Sequence, residues 1–114
     1  MSKVAALETS TRIRVLNDFF RTTFIGGRVV MTAGVADLSL GVRAQVVLKV
    51  QTFADFNADN DPYGEHDFGS FELVSRKFFW KIDYYDKRCE FGSDDPADPE
   101  KTTRVLTIML AEEY

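Results

Sequence analysis

Apolar side chains recur at helical spacing over residues 11–22, where Ile13, Leu16 and Phe20, with neighbouring Phe19, form one stripe. Thr9 or Ser10 is placed to cap that helix, and Gly26-Gly27 to end it. Arg28 to Thr32 is short, apolar and β-branched, which predicts a strand. Ser39 is a suitable N-cap for a second helix running to about Phe56. Its buried stripe is expected from Val46, Val47, Val50, Phe53 and Ala54, with Arg43, Gln45 and Lys49 elsewhere on the wheel. Pro, Gly, Asn and Asp crowd Asn57 to Asp67 and mark a loop.

Three strand patterns follow: Phe68 to Val74, Lys77 to Tyr85 and Thr103 to Ala111, the first two joined by a tight turn near Ser75-Arg76. In the second, Phe78, Trp80, Ile82 and Tyr84 share one face, and Phe79, Lys81, Asp83 and Tyr85 the other. The second face is mixed, so it is half-solvated or part of a pocket. Both alternating sets of the third strand are largely apolar, as in a central strand covered on both faces. Asp86 to Lys101 contains prolines that bar it from a sheet interior, so it is a connection. The order α-β-α-β-β-β groups like elements instead of alternating them. It predicts an α+β fold in which two helices cover one face of a mainly antiparallel sheet of about four strands.

A chain of 114 residues fits a single domain, and 45% hydrophobic with 28% charged residues is globular composition. One cysteine, Cys89, leaves no internal disulfide and points to a reducing compartment. The first residues hold no apolar core of signal-peptide length, and no apolar run reaches the roughly 20 residues of a membrane span. A cytoplasmic protein that does not engage a membrane is the expectation.

The net charge is −4, but it is unevenly spread. Residues 1–54 carry seven basic and three acidic side chains, whereas residues 55–100 carry thirteen acidic and five basic ones. The acidic middle suits a protein partner with a basic face and opposes binding to nucleic acid. Asp94, Asp95, Asp98 and Glu100 are the candidate binding residues on it.

Catalytic candidates centre on the loop before the second strand. Glu65, His66 and Asp67 combine two carboxylates with the only imidazole, the group suited to proton transfer near neutral pH. Lys81, Asp83 and Tyr85, at i, i+2 and i+4 on one strand face, are the candidates to stand opposite. Asp59 and Asp61 begin like a calcium loop, but Pro62 and Tyr63 break the ligand pattern and no glutamate closes it. One histidine and one distant cysteine make no zinc cage, so no metal is expected. Gly26-Gly27 follows a helix and opens a strand, the reverse of a phosphate loop, and no other cofactor signature is present.

Three stretches carry a family resemblance: Asn60 to Gly69, Phe79 to Asp86, and Asp95 to Tyr114. With Gly26 to Thr32 and Gly34-Val35, they resemble a small bacterial family catalogued as domain of unknown function 3768. The resemblance runs from about residue 12 to the C-terminus. It implies a single domain over 12–114 with a variable extension at 1–11. It also implies an alphaproteobacterial setting, often on plasmids and other mobile elements, and brings no activity, cofactor or catalytic residue. Together these readings favour a small protein-interaction or accessory factor, such as an acidic inhibitor of a host defence or DNA-handling system. The alternative is a small hydrolase or nuclease-like enzyme built on Glu65, His66 and Asp67. In a third reading the motif carboxylates Asp61, Glu65 and Asp67 cap turns and pair with Arg104 or Lys81.

Overall fold

The computed structural model describes residues 3–114, with side chains from Glu8 onward; Met1 and Ser2 of the expected extension lie outside the described residues. Helix α1 spans Lys3–Thr23 and β1 Gly27–Met31. A one-turn helix α2, Ala33–Ala36, and helix α3, Leu40–Gln51, follow. Strands β2 (Phe68–Leu73), β3 (Arg76–Tyr85) and β4 (Thr103–Leu110) come next, followed by a 3₁₀ turn at Ala111–Glu113.

Strand order is β1-β4-β3-β2. β2–β3 and β3–β4 are antiparallel, while β1 pairs with β4 in parallel, Gly27 opposite Arg104. The α+β class holds, and the sheet is mixed. A parallel neighbour requires a crossover. Helices α2 and α3 provide it by carrying the chain over one face, from β1 at one edge to β2 at the other.

That face holds the core. Phe78, Trp80 and Ile82 from β3 and Leu106, Ile108 and Leu110 from β4 are buried with Phe20, Val35, Val46 and Val50 from the helices. Gly69, opposite Trp80 in the register, has no room for a side chain: a Cβ there would collide with the indole Nε1. Among the described residues, the helix side chains in the core all pack on that one face of the sheet. Phe79, Lys81, Asp83 and Tyr85 are half-buried on the other face, and Phe68, Phe79 and Tyr114 form an aromatic cluster there with ring centroids 5.2 to 6.5 Å apart. Met109 is buried on this face while Val105 and Thr107 are half-buried, so β4 is central but not fully covered on both sides.

Four local readings are corrected. α1 starts at Lys3 and runs unbroken through residues 11 and 12, so Thr9 and Ser10 lie inside it; the upstream alanines and Leu7 are strong helix formers. Its C-terminal left-handed position is taken by Phe24 at φ 61, with Gly26 following at φ 102. α3 stops at Gln51 because Arg21 Nη1 donates to the carbonyls of Val50 and Phe53, at 2.9 and 3.0 Å, satisfying the helix end with a cation. Phe53 and Phe56 then turn inward against Trp80, and Ala54 is exposed. The β2–β3 turn is Val74-Ser75, with Leu73 opposite Arg76.

Candidate functional site

α1 presents an unusual face to the sheet. Ile13 and Phe20 are buried on it, and so are Asn17 and Arg21. Buried polar groups need partners: Asn17 recruits the loop of residues 57–67, and Arg21 the end of α3 and Asp18. Asn17 Nδ2 donates to the Glu65 carbonyl at 3.0 Å and to Tyr84 Oη at 2.8 Å. Its Oδ1 accepts from Arg104 Nε at 2.8 Å. Tyr84 Oη in turn donates to Glu65 Oε1 at 3.0 Å. Burial raises the Glu65 carboxyl above its ordinary value, helped by the charges of Asp67 and Asp61 and opposed by the Tyr84 hydrogen bond and the charge of Arg104. Burial likewise raises Tyr84 and lowers Arg104.

His66 sits in a second knot. Its backbone is left-handed at φ 56, which lets its N–H donate to Asp61 Oδ1 at 3.2 Å. The imidazole stacks on Phe56 with centroids 3.7 Å apart and planes 3° from parallel. Nδ1 lies 2.8 Å from Asp18 Oδ1, and Nε2 lies 3.5 Å from Asp61 Oδ2. Asp18 also accepts from Arg21 Nη2 at 3.1 Å, and the Arg21 guanidinium lies over the Phe56 and Trp80 rings. This knot ties α1, the end of α3 and the loop together.

The six catalytic candidates do not converge. Glu65 bonds to Tyr84, whose side chain is on the helix-covered face. Lys81, Asp83 and Tyr85 alternate with it and point to the opposite face, where Lys81 Nζ and Asp83 Oδ2 form an ion pair of 2.8 Å. That hydrogen bond is the main reason the Lys81 ammonium is raised. Asp67 lies between: it is half-buried and raised by desolvation, and its carbonyl accepts from Ile82 N at 2.8 Å. The sheet therefore stands between His66 and the Lys81–Asp83–Tyr85 row. Among the described residues no group of three or more His, Cys, Asp or Glu side chains is placed to hold a metal ion.

The four acidic binding candidates share the β3–β4 connection, residues 86–102, and two of them build it. Asp95 Oδ1 accepts from Ala97 N at 3.2 Å, and Asp98 Oδ1 from Glu100 N at 2.9 Å, each an Asx turn. Asp94 and Glu100 are exposed. Thr102 Oγ1 donates to the Asp95 carbonyl and lies 2.7 Å from Ser93 Oγ, and Arg104 Nη2 donates to the Pro96 carbonyl, so the loop is firmly braced.

Sequence patterning missed what stands across from this loop. Val15 and Phe19 of α1 are 60% and 54% exposed, and Ile25 is 62% exposed. Val15 and Leu16 face Ala97 and Pro99 across a cleft of about 310 Å³. A second cleft, about 460 Å³, continues from Leu16 and Pro99 past Phe19 and Ile25 to Lys87, Thr102 and Arg104. Asn17, Asp18, Arg21 and Arg104 also escaped notice as site residues. The signal for Asn17 and Arg21 was their i, i+4 placement on the face of Ile13 and Phe20.

No helix of the described residues is long and apolar enough to cross a membrane. The family model described as Protein of unknown function (DUF3768) matches residues 31–113, so the chain belongs to that family. The match takes in everything from the end of β1 to the 3₁₀ turn and leaves out α1, a shorter span than the one read from residue 12. No curated protein and no solved structure matches the chain significantly.

Proposed function

We propose that this member of the DUF3768 family is a protein-binding accessory module. Its groove between α1 and the 86–102 connection receives an apolar, basic segment of a partner. The observation that carries this is the row Val15, Phe19 and Ile25, exposed on one rim and set against Ala97 and Pro99 on the other. Contiguous exposed apolar surface rimmed by polar residues marks an interaction site. Charge selects the partner's chemistry. Residues 86–101 carry six acidic side chains (Asp86, Glu90, Asp94, Asp95, Asp98, Glu100) and three basic ones (Lys87, Arg88, Lys101), a net −3 beside the groove. A basic surface of the kind found on nucleic-acid-handling proteins fits that rim, and so does the role of an acidic inhibitor of a DNA-handling or defence system carried on mobile elements. The enzyme alternative lacks a comparable observation, because Glu65 and His66 are spent on internal ties and the Lys81 row faces away.

Fluorescence anisotropy with synthetic amphipathic helical peptides tests this reading. Peptides with Lys and Arg on the polar face are expected to bind, and matched peptides carrying Glu are not. Val15→Glu, on an exposed helix position, is expected to weaken binding about tenfold or more. Neutralising the rim as Asp94→Asn, Asp95→Asn, Asp98→Asn and Glu100→Gln keeps the Asx-turn acceptors and is expected to weaken binding and flatten its salt dependence. Equal binding of acidic and basic peptides, or indifference to Val15→Glu, would remove the proposal.

A further inference from the structure

Arg104 is 3% exposed, yet no carboxylate approaches its guanidinium within ion-pair distance among the described residues. Its polar partners are neutral: Asn17 Oδ1 on Nε and the Pro96 carbonyl on Nη2, with the Tyr84 ring against the guanidinium at 5.3 Å. A buried charge is ordinarily paired, because desolvation without a counter-charge is expensive. The third nitrogen, Nη1, makes no hydrogen bond among the described residues. It is also not sealed inside, since the buried side-chain polar atoms without a partner there are Arg21 Nε and Trp80 Nε1. Nη1 thus keeps at most a sliver of accessible surface, and the cleft that Arg104 lines is the one of about 460 Å³.

The rest of that cleft is apolar apart from Lys87 and Thr102, whose hydroxyl is engaged by the Asp95 carbonyl and Ser93. Leu16, Phe19, Phe20 and Ile25 form its walls, and exposed Lys87 stands at its mouth with no ion pair among the described residues. A volume of this size lies within the range of small-molecule sites. We infer that this cleft is a binding site for a small monoanion with an apolar body: a carboxylate meets Arg104 Nη1 and Lys87, and its hydrocarbon or aromatic part lies against Leu16, Phe19 and Ile25. The unpaired guanidinium supplies a charge-assisted donor, and the apolar walls supply the area. Asn17 and the Pro96 carbonyl hold the fork in place whether or not a ligand is bound, which limits the ordering cost of binding. The same chemistry is offered by a free alkyl or aromatic acid and by the C-terminal carboxylate of a peptide ending in an apolar residue. The walls Phe19 and Ile25 are shared with the docking groove, but this inference rests on Arg104 and Lys87 and not on a docked basic segment, and Val15 lines only the neighbouring cleft.

Amide correlation spectra of the full chain, titrated with octanoate, 1-octanol and an apolar peptide with free or amidated C-terminus, test the inference. Octanoate is expected to give saturable shifts at Phe19, Ile25, Lys87 and Thr102. The alcohol is expected to bind at least about tenfold more weakly, the loss of one charge-assisted hydrogen bond. Lys87→Glu should weaken octanoate by a similar factor, and Val15→Glu should leave it unchanged, which separates this site from the docking groove. A free-C-terminus peptide tighter than octanoate, with its amidated form weak, identifies a chain terminus as the source of the anion; the reverse order identifies a free acid. Arg104→Gln is read only if its circular dichroism matches wild type, and Lys87→Glu decides otherwise. Equal affinity for octanoate and octanol, no saturation by about 10 mM, or insensitivity to Lys87→Glu overturns the assignment.

Discussion

Asn17 commits both faces of its amide, to the Glu65 carbonyl and Tyr84 hydroxyl on one side and to the Arg104 guanidinium on the other. Asn17→Ala would leave the Glu65 carbonyl and Arg104 Nε without partners and remove the donor to Tyr84 Oη, which keeps only its bond to Glu65 Oε1. We expect a loss of about 2–4 kcal/mol in urea unfolding, and a loss below about 1 kcal/mol would mean that water replaces the amide. Glu65 gives a pH signature. Its folded-state carboxyl is raised above 4.5, so the folded chain holds that proton more tightly than the unfolded chain does. Its contribution is most favourable at acid pH and is lost as pH rises from 4.5 through the raised value. Glu65→Gln is therefore expected to lose less stability than wild type between about pH 4.5 and 7, measured by denaturant titration at each pH. Parallel curves would show that the carboxyl is not desolvated as placed. Glu113 works in the opposite sense. Hydrogen bonds from Thr32, Leu110 N and Gly34 N lower its carboxyl, so its contribution is present above 4.5 and disappears as pH falls through the lowered value. Sequence could show Asn17 and Arg21 interrupting an apolar helix face. It could not show that their partners lie 48, 67 and 87 residues away for Asn17, nor that Arg21 reaches the end of α3.

Strands were readable to within a residue or two, because a period of two with β-branched and aromatic residues is a strong local signal; β3 and β4 show it in their buried alternation. Helix ends were less readable, since α1 begins among strong helix formers upstream of Thr9 and Ser10 and α3 ends at a tertiary contact with Arg21. The β2–β3 hairpin holds a local conflict that patterning passed over. Val74 and Ser75 are both left-handed, at φ 49 and 62, as a two-residue type I′ turn requires. A β-branched residue there is strained. Replacing Val74-Ser75 with Asn-Gly is expected to raise stability by about 1–2 kcal/mol, seen as a higher melting temperature; no gain would mean that exposed Val74 recovers its strain in contacts beside Arg76.

At the level of the whole molecule, the helices take one face of the sheet and leave the other to half-buried residues and the Phe68–Phe79–Tyr114 cluster. The α+β class followed from the grouping of like elements. The parallel β1–β4 pair did not, because strand order depends on partners distant in sequence, and β1 carries no mark that distinguishes its neighbours. The candidate site divided in the same way. The loop around His66 was visible as a dense polar cluster, whereas the groove is made of residues that look like core on a helical wheel, Phe19 among them. Only packing shows that Phe19 faces away from the sheet. The docking and anion-binding readings both depend on that placement.

The position of β4 in the sheet has a consequence during synthesis. It leaves the ribosome after β1, β2 and β3, yet it fills the slot between β1 and β3 and supplies Leu106, Ile108 and Leu110 to the core. Until it emerges, β1 has no strand to pair with and the β2–β3 hairpin keeps one edge unsatisfied. Folding on the ribosome therefore cannot run from N- to C-terminus in stages, and the partial chain carries two open strand edges, the feature that recruits other chains. A stalled or truncated product lacking β4 is aggregation-prone, and the finished fold closes in one late, long-range step.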